Sequence, residues 1–410
     1  MGASELVDGL KKHLRSTGGN LIRRLHLLPG GTPDGLGEDA QLTGTSLDSQ
    51  VLVFFPDTPD SLYQIEEWYP TLGVLNDVFG VTVVCMDSRT AREIRGRSRL
   101  KVITIARDAT LDELVSRSDI KICLYVNYNP LNTLALYLRS MIHVSMLHGD
   151  SDKTVSVSNQ IKAYDFAFVA GHAAIDRLDR YTMLFDAHER CIAVGYPELD
   201  YSGLPAGIRE PNRHTVLYAP TWEGGHPSMC YSSVHSHGAV LVRSLRAEGY
   251  DVIYRPHPLT GVRLHEYGEA DREIKEQCYK DPRMEVSAGT PLAHDFHAAD
   301  LLIADVSAVA NSWLRTGRPL IVTDVDDGGG MTARTQLLDS VPRLTAADAR
   351  ETGTIVRREL TDDPTAQARK ELIEYYYGDV SPGASIERTI EAIRRLIALR
   401  DELWKEIRPQ

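Results

Sequence analysis

Continuous apolar runs of strand length, each ending in polar or turn-forming residues, constrain the fold of this chain more than any other feature. Parallel strands that are buried on both faces have such continuous runs. Three stretches in the second half of the sequence contain them: VLYAPTW at 216–222, YRPHP at 254–258 and ADLLIADVSAVANSWLRTGRPLIVTD at 299–324. Ligands bind at the carboxyl ends of strands in an open α/β sheet. Five residues at those ends are therefore candidate binding residues: Thr221, Arg255, His257, Asp305 and Ser307.

The alternation of strand-length and helix-length patterns continues along most of the chain. It predicts an α/β fold with mostly parallel sheets and helices on both faces. Because 410 residues are too many for one ordinary core, we expect two Rossmann-like domains of the GT-B type with the active site in the cleft between them. The predicted parts are 1–49 (an amphipathic basic helical segment and a linker), 50–197 (the N-terminal domain), 198–213 (a hinge), 214–360 (the C-terminal domain) and 361–410 (C-terminal helices).

Composition excludes several classes of protein. A formal net charge of -12 argues against general nucleic-acid binding, which needs a basic surface. The five cysteines are scattered and have no CxxC spacing, which favours a reduced, cytoplasmic protein without a thiolate zinc site. The sequence contains no apolar run long enough to span a bilayer and no signal-peptide pattern.

The first thirty residues combine basic and apolar side chains. Leu6, Leu10 and Leu14 can share one face of a helix. The segment carries five basic residues: Lys11, Lys12, Arg15, Arg23 and Arg24. This pattern permits docking at the cytoplasmic face of an anionic membrane. An amphipathic helix that packs on its own domain, or on a second subunit of a homo-oligomer, has the same pattern.

Two imidazoles and one guanidinium are candidate catalytic groups. His148 directly follows the predicted strand 141–147, so it can act as a general base facing the cleft, or it can cap a turn. Arg255 and His257 alternate with two prolines that stiffen the chain. Such fixed donors suit a pyrophosphate leaving group. The alternative for Arg255 is a structural ion pair with an acid across the domain interface.

The turn from Asp305 to Ala308 joins a predicted strand to a predicted helix. Ser307 is a good N-cap residue, and the small side chains of Ser307 and Ala308 let a phosphate approach the first helical N–H groups. Asp305 can bind a substrate hydroxyl or cap the turn. Most turns of this kind bind nothing, so this motif alone is weak evidence.

We predict no metal site. His235 and His237 in the loop 224–237 have a spacing that is poor for one helix face, and no acidic cluster lies near His226. A mobile loop that closes on an anionic substrate fits this composition better. The acids of DVDDGGG at 324–330 are expected in a solvated turn rather than around a divalent ion.

Taken together, the motifs resemble those of the CDP-glycerol glycerophosphotransferase family, which comprises teichoic-acid primases and polymerases and related capsule-polymer transferases. The motifs that carry the resemblance are HG at 148–149, GYPELD at 195–200, PTW at 220–222, RPHP at 255–258 and ADVSAVANSWLRTGRPLIV at 304–322. The resemblance covers roughly 51–322. It implies a metal-independent GT-B transferase that binds membranes peripherally and transfers an alditol phosphate from a CDP-alditol to a hydroxyl of a lipid-linked or polymer acceptor.

The resemblance also implies roles for single residues. His148 would be the base of the N-terminal, acceptor-binding domain. Arg255 and His257 would hold the pyrophosphate in the C-terminal, donor-binding domain, with Thr221 and Ser307 as further donors to the phosphates. No cofactor is implied besides the nucleotide-linked donor, which is a substrate.

The sequence departs from the family pattern in three places. Glu223 stands where the family often has a basic residue, Ala308 replaces a second serine, and Ser312-Trp313 occupies the place of an acid-aromatic pair. The alternatives are a GT-B glycosyltransferase that uses a nucleotide sugar, a nonhydrolysing nucleotide-sugar epimerase, and a degenerate nucleotide-binding partner. The released nucleotide distinguishes the glycosyltransferase from a phosphotransferase: the phosphotransferase releases CMP, and the glycosyltransferase releases a nucleoside diphosphate.

Overall fold

The structure is a computed structural model of the 410-residue chain. It describes residues 38–146, 158–197, 214–225, 230–287, 292–325 and 336–407. His148 and Gly149, the predicted hinge at 198–213 and the basic segment before residue 38 lie outside the described residues.

A seven-stranded parallel sheet forms the first half of the described chain. Its strands follow the order β3-β2-β1-β4-β5-β6-β7, so the chain starts in the middle and winds outward in both directions. The strands are β1 (Val51–Phe55), β2 (Val81–Cys85), β3 (Lys101–Thr104), β4 (Ile122–Tyr125), β5 (Ile142–Ser145), β6 (Phe166–Val169) and β7 (Cys191–Ala193). Apolar residues of β1, β2 and β4 pack on both faces of this sheet, which explains their continuous apolar runs.

Helices cover both faces of the first sheet. They are α1 (Glu38–Leu42), α2 (Tyr63–Glu66), α3 (Tyr69–Phe79), α4 (Ser88–Arg97), α5 (Asp108–Ser116), α6 (Thr133–Leu136), α7 (His172–Tyr181) and α8 (Ala187–Arg190). Short 3-10 turns lie at Pro59–Ser61, Pro130–Asn132 and Asn159–Ala163.

A six-stranded parallel sheet follows, with the order β10-β9-β8-β11-β12-β13. Its strands are β8 (Thr215–Ala219), β9 (Asp251–Tyr254), β10 (Met284–Val286), β11 (Leu301–Ala304), β12 (Leu320–Thr323) and β13 (Arg343–Leu344). Its helices are α9 (Ala239–Ala247), α10 (His265–Lys280), α11 (Leu292–Ala298), α12 (Ala308–Leu314), α13 (Gln336–Ser340) and α14 (Thr352–Thr361), with a π-helical turn at Val234–Gly238 and a 3-10 turn at Asp348–Glu351. Two Rossmann-like sheets with helices on both faces confirm the predicted fold class.

The sequence missed some elements. Within the predicted linker, α1 is a helix whose acids accept hydrogen bonds from distant backbone: Asp39 accepts from Ala106 N (3.0 Å) and Arg107 N (3.2 Å). By contrast, the sequence predicts a helical stretch over 61–78 with a bend or an interruption near Pro70, and the structure divides this stretch into α2 and α3 just before Pro70. The two-residue β13 and the short α11 have no clear signal in the sequence.

The last two helices return the chain to the first sheet. They are α15 (Ala366–Tyr377) and α16 (Ala384–Ile407). Ile393 and Leu396 of α16 pack into the same apolar cluster as residues of β1 and β2, although β8–β13 separate them in sequence. Among the described helices, none has an apolar stretch of the length and hydropathy needed to cross a bilayer.

Arg388 of α16 holds the end of the first sheet against the C-terminal helices. Its guanidinium donates to the carbonyl oxygens of Val194 (3.3 Å), Tyr377 (3.2 Å) and Asp379 (3.0 Å). Gly195 lies directly beneath it with a φ of +86°, and a Cβ there would come within 2.3 Å of Arg388 Nη2. This position therefore requires glycine.

We expect Arg388→Ala to destabilise the protein by about 2–3 kcal/mol, because it leaves several half-buried carbonyl groups without their charged donor. A decrease of the urea midpoint measures this loss. Arg394→Ala on the same helix is the matched control, since its ion pair with Glu391 (3.9 Å) is exposed and should contribute less than about 0.5 kcal/mol. Equal midpoints for the two variants would contradict the role of Arg388.

Candidate active site

The polar motifs of the second sheet lie at one edge because its strands are parallel and adjacent. β8 pairs with both β9 and β11, so the segments that follow these three strands leave the sheet side by side. These segments are 220–223, 255–257 and 305–307. The structure thus brings together the five predicted residues at the carboxyl ends of the strands.

Asp305 is buried beneath this edge, with no exposed surface. Its carboxyl oxygens accept hydrogen bonds from Thr221 N (2.7 Å) and Ser233 N (3.2 Å), and from the hydroxyl of Thr323. Three segments that are far apart in sequence are therefore fixed on one carboxyl group. Burial raises the pKa of Asp305 to about 6, because desolvation outweighs the effect of these donors.

Thr221 is part of a second link between the same segments. It is buried, and its carbonyl oxygen accepts a hydrogen bond from Ser232 Oγ (2.8 Å). The π-helical turn that follows begins where Ser233 O accepts from both His237 N and Gly238 N. Such turns often occur at functional sites. This turn places Ser232 and Ser233 against the PTW segment.

Arg255 is held by an acid of α11 that the sequence did not indicate. Asp295 of α11 accepts from Arg255 Nη1 (2.7 Å) and from Ser287 Oγ (2.6 Å), and its side chain is almost completely buried. The sequence left open a structural ion pair between Arg255 and an acid, and Asp295 is an acid that forms one. Charged hydrogen bonds of this kind fix the plane of the guanidinium group. Asp295 and Ser287 do not lie in any recognised motif, so only the structure identifies them.

His257 lies between Trp222 and the backbone of its own turn. The Trp222 and His257 rings are stacked, with centroids 6.0 Å apart and an interplanar angle of 18°. Leu259 N donates to His257 Nδ1 at 3.1 Å. Since Nδ1 accepts this bond, a neutral His257 carries its proton on Nε2. The ring is therefore set to donate from Nε2.

Glu223 is buried and has three backbone donors. Its Oε1 accepts from Arg263 N (2.8 Å) and Leu264 N (3.1 Å), and its Oε2 accepts from Gly261 N (3.0 Å). Burial alone would raise the pKa of Glu223, but these N–H groups, led by that of Gly261, lower the pKa overall. Glu223 is thus ionised at neutral pH, and its carboxylate oxygens contact the loop that follows the RPHP motif.

Ser307 and Ala308 begin α12, as the sequence predicts. Ser307 occupies the N-cap position with extended backbone, yet its hydroxyl makes no capping bond. Among the described residues, the buried Ser307 Oγ has no hydrogen-bond partner. The other departures from the family pattern are structural: Ser312 is buried, and Trp313 packs edge-on against Phe296 with ring centroids 5.1 Å apart.

The histidine-rich and acidic loops show no metal cluster in the ranges that the structure describes. His235 lies against Tyr267, and His237 Nδ1 lies 2.9 Å from Ser236 Oγ. Asp324 pairs with Arg343 at 2.8 Å. His226 and the acids beyond residue 325 lie outside the described residues.

A small cavity lies at the carboxyl edge of the first sheet. Its volume is about 30 Å³, and Trp68, Met146, Arg177 and Tyr196 are among the residues that line it. Met146 precedes His148 by two residues and is the last described residue before it. The predicted base therefore follows a strand whose end faces this cavity.

Comparisons with known proteins give one family and one fold. The family model described as CDP-Glycerol:Poly(glycerophosphate) glycerophosphotransferase matches residues 130–393. A comparison with curated proteins gave no significant match.

Among solved structures, the wall teichoic acid polymerase TagF is similar with a TM-score of 0.54 at 14% identity, over 97% of this chain and 99% of that one. A putative UDP-N-acetylglucosamine 2-epimerase from Listeria monocytogenes has a TM-score of 0.55 at 11% identity, over 85% and 96% of the two chains. HepE from Anabaena, solved with UDP-glucose, has a TM-score of 0.50 at 10% identity, over 84% and 100%. At these identities the likeness shows the fold alone, which is the predicted GT-B architecture.

We expect Asp305→Asn to change the pH dependence of stability. The folded protein holds the Asp305 proton more tightly than the unfolded chain does. The contribution of this proton to the free energy of unfolding is therefore complete below about pH 4. That contribution is lost as the pH rises through about 6. As the pH rises from about 4 to above 6, the free energy of unfolding of the variant should therefore increase by up to about 3 kcal/mol relative to that of the wild type. Urea titrations at several pH values measure the difference.

Asp281→Asn provides the control with the opposite sign. The hydrogen bond from Arg246 lowers the pKa of Asp281, so its contribution is present above the ordinary carboxyl pKa and is lost as the pH falls. If the free energies of unfolding of the wild type and of Asp305→Asn changed in parallel from pH 4 to 7, the raised pKa of Asp305 would be refuted.

Proposed function

The chain belongs to the CDP-glycerol:poly(glycerophosphate) glycerophosphotransferase family, and we propose that it transfers an alditol phosphate from a CDP-alditol, CDP-glycerol in the simplest case, to an acceptor hydroxyl in cell-wall polymer synthesis. The observation that carries this proposal is the family match, which spans parts of both sheets and includes all the motif segments of the second. The arrangement of Thr221, Arg255, His257 and Ser307 at one sheet edge supports it.

The reaction needs a base, and His148 is the proposed one. It would take the proton of the acceptor hydroxyl while that oxygen attacks the β-phosphorus of the donor. A new phosphorus–oxygen bond then forms, and the bond between the β-phosphorus and the bridging oxygen breaks. CMP leaves with the bridging oxygen and its electron pair. A positioned base of this kind typically accelerates such a step 10²–10⁴-fold, as an order of magnitude.

The charge that develops on CMP needs donors that are already in place. We assign this role to Arg255 and His257. Asp295 and Ser287 orient the guanidinium of Arg255, while Trp222 and Leu259 N orient the imidazole of His257. Fixed donors stabilise a transition state without reorganising during the reaction.

The remaining site residues support the phosphates or the loops around them. Ser307 Oγ and the first N–H groups of α12, starting at Ala308, would donate to the donor phosphates. Thr221, which lies beside the turn that begins α12, is proposed as a further donor to the phosphates. For Asp305, whose carboxyl group is buried and engaged, we propose a positioning role in place of direct contact with the donor.

Several finer features belong to the same proposal. The reaction is proposed to need no metal ion, because cationic and N–H donors serve the phosphates. The acceptor is proposed to be lipid-linked or polymeric. We also propose that the basic residues of the first thirty positions bring the enzyme to the cytoplasmic face of the membrane, or join two subunits.

We expect CMP release from one CDP-alditol in a panel of CDP-glycerol, CDP-ribitol and common nucleotide sugars, assayed with lipid-linked saccharide acceptors. His148→Ala should lower the rate by about 10² or more. His188→Ala, a histidine on α8, is the matched control and should keep the wild-type rate. Activity should persist in EDTA. Release of UDP or GDP would instead indicate a glycosyltransferase.

We expect deletion of residues 1–30 to abolish co-sedimentation with anionic liposomes, because the deletion removes Lys11, Lys12, Arg15, Arg23 and Arg24. Neutral liposomes and high salt serve as controls, since both should weaken binding of the full chain. Unchanged liposome binding of the truncated chain would reject the membrane role. A loss of dimer on size exclusion would favour the subunit contact.

A further inference from the structure

Glu223 is the least expected charge at the candidate site. A carboxylate next to a proposed pyrophosphate site would repel the substrate if its oxygens faced it. Its oxygens instead accept three backbone hydrogen bonds from 261–264 and are buried. Each of these bonds joins the segment after β8 to the segment after β9. Glu223 therefore acts on the loop between His257 and α10.

This loop has a conformation that depends on close packing. Gly261 has a φ of +77°, and a Cβ there would lie 2.4 Å from the Cα of Gly268 in α10. Arg263 Nη1 donates to Gly224 O at 3.0 Å, which adds a fourth bond between the two segments. The loop is thus held on one side by α10 and on the other by Glu223 and Gly224.

His257 lies at the junction of the two segments that Glu223 joins. Its ring stacks on Trp222, the residue directly before Glu223. Its Nδ1 accepts from Leu259 N, and Val262 N donates to Leu259 O within the same turn. Displacement of the loop would move Leu259 N from Nδ1. The tautomer of His257 would then no longer be fixed.

We propose that Glu223 is the positioning residue of His257: by fixing the loop 259–264 against the PTW segment, it keeps Leu259 N on His257 Nδ1 and so keeps the His257 proton on Nε2, directed to the leaving group. This inference rests on the proposed phosphotransfer, in which His257 donates to the departing CMP. It adds a residue that touches no reacting atom. It also explains how an acid is accommodated where the family often has a base.

Two substitutions separate the charge from the contacts. Glu223→Ala removes all three acceptor bonds. Glu223→Gln keeps one acceptor oxygen but turns an NH₂ group toward backbone N–H donors, so its effect should be smaller and of the same kind. Asp281→Asn is the matched control: Asp281 also accepts from a backbone N–H (Arg283 N, 3.0 Å), but it lies before β10, at the opposite end of the strands.

The tautomer is measured by ¹⁵N NMR of protein labelled at histidine nitrogens, with the His257 signals identified by their loss in His257→Gln. Wild type and Asp281→Asn should show His257 as the Nε2–H tautomer. Glu223→Ala should shift the His257 signals toward a mixture of tautomers. A role of Glu223 in general stability alone would not change these signals.

The kinetics of the Glu223 variants should agree with the NMR measurement of the His257 tautomer. With the active CDP-alditol, Glu223→Ala should lower kcat about 10- to 100-fold while KM for the donor changes little, because misplacement affects the transition state more than binding. His257→Gln sets the scale with a loss of about 10²–10³-fold. The double variant should lose no more than His257→Gln alone.

An unchanged His257 tautomer in Glu223→Ala would overturn the proposal, as would a shifted tautomer with wild-type kcat. If Glu223→Ala fails to fold, Glu223→Gln decides by the same two measurements. Should no CDP-alditol be turned over by the wild type, the proposed function fails by itself, and the NMR result still decides whether Glu223 positions His257.

Discussion

The candidate site depends on one buried carboxyl group. Asp305 joins the N–H of Thr221, the N–H of Ser233 and the hydroxyl of Thr323, which come from three segments separated by up to 102 residues in the chain. Without this acceptor two buried N–H groups would lose their partner, at a cost of about 1–3 kcal/mol each. Asp305 therefore fixes the PTW segment against the residues that begin the π-helical turn, together with the hydrogen bond from Ser232 Oγ to Thr221 O.

The same principle recurs at two neighbouring positions. Asp295 holds Arg255, and Glu223 holds the loop after His257. A protein with a net charge of -12 thus places three acids directly under a proposed site for an anionic donor. The carboxylate oxygens accept from N–H and O–H groups of the protein, so their charge serves to orient donors. The donors themselves lie at the carboxyl edge of the second sheet, where we propose that a phosphate binds.

The sequence could predict the strands because their signal is local. Continuous apolar runs locate most of the strands to within one or two residues, and the ends of these runs locate Thr221, Arg255, His257, Asp305 and Ser307 at one edge. The elements and contacts that the sequence could not predict depend on residues that are far apart in the chain. α1 lies in a Gly- and Thr-rich stretch that is typical of a linker. It is held by hydrogen bonds that the Asp39 carboxylate accepts from Ala106 N and Arg107 N, 67 and 68 residues away. Asp295 likewise reaches Arg255 across 40 residues.

Glu223 shows why a departure from a family pattern is a poor guide to substrate. Read from the sequence, an acid in place of a base changes the local charge by two units and suggests a different donor. In the folded chain, both carboxylate oxygens are used by Gly261, Arg263 and Leu264 N–H groups. The charge is therefore compensated by backbone N–H dipoles, and in the proposed function the donor contacts Arg255 and His257 instead. On the proposed function, the acid at position 223 is therefore accounted for without a change of donor.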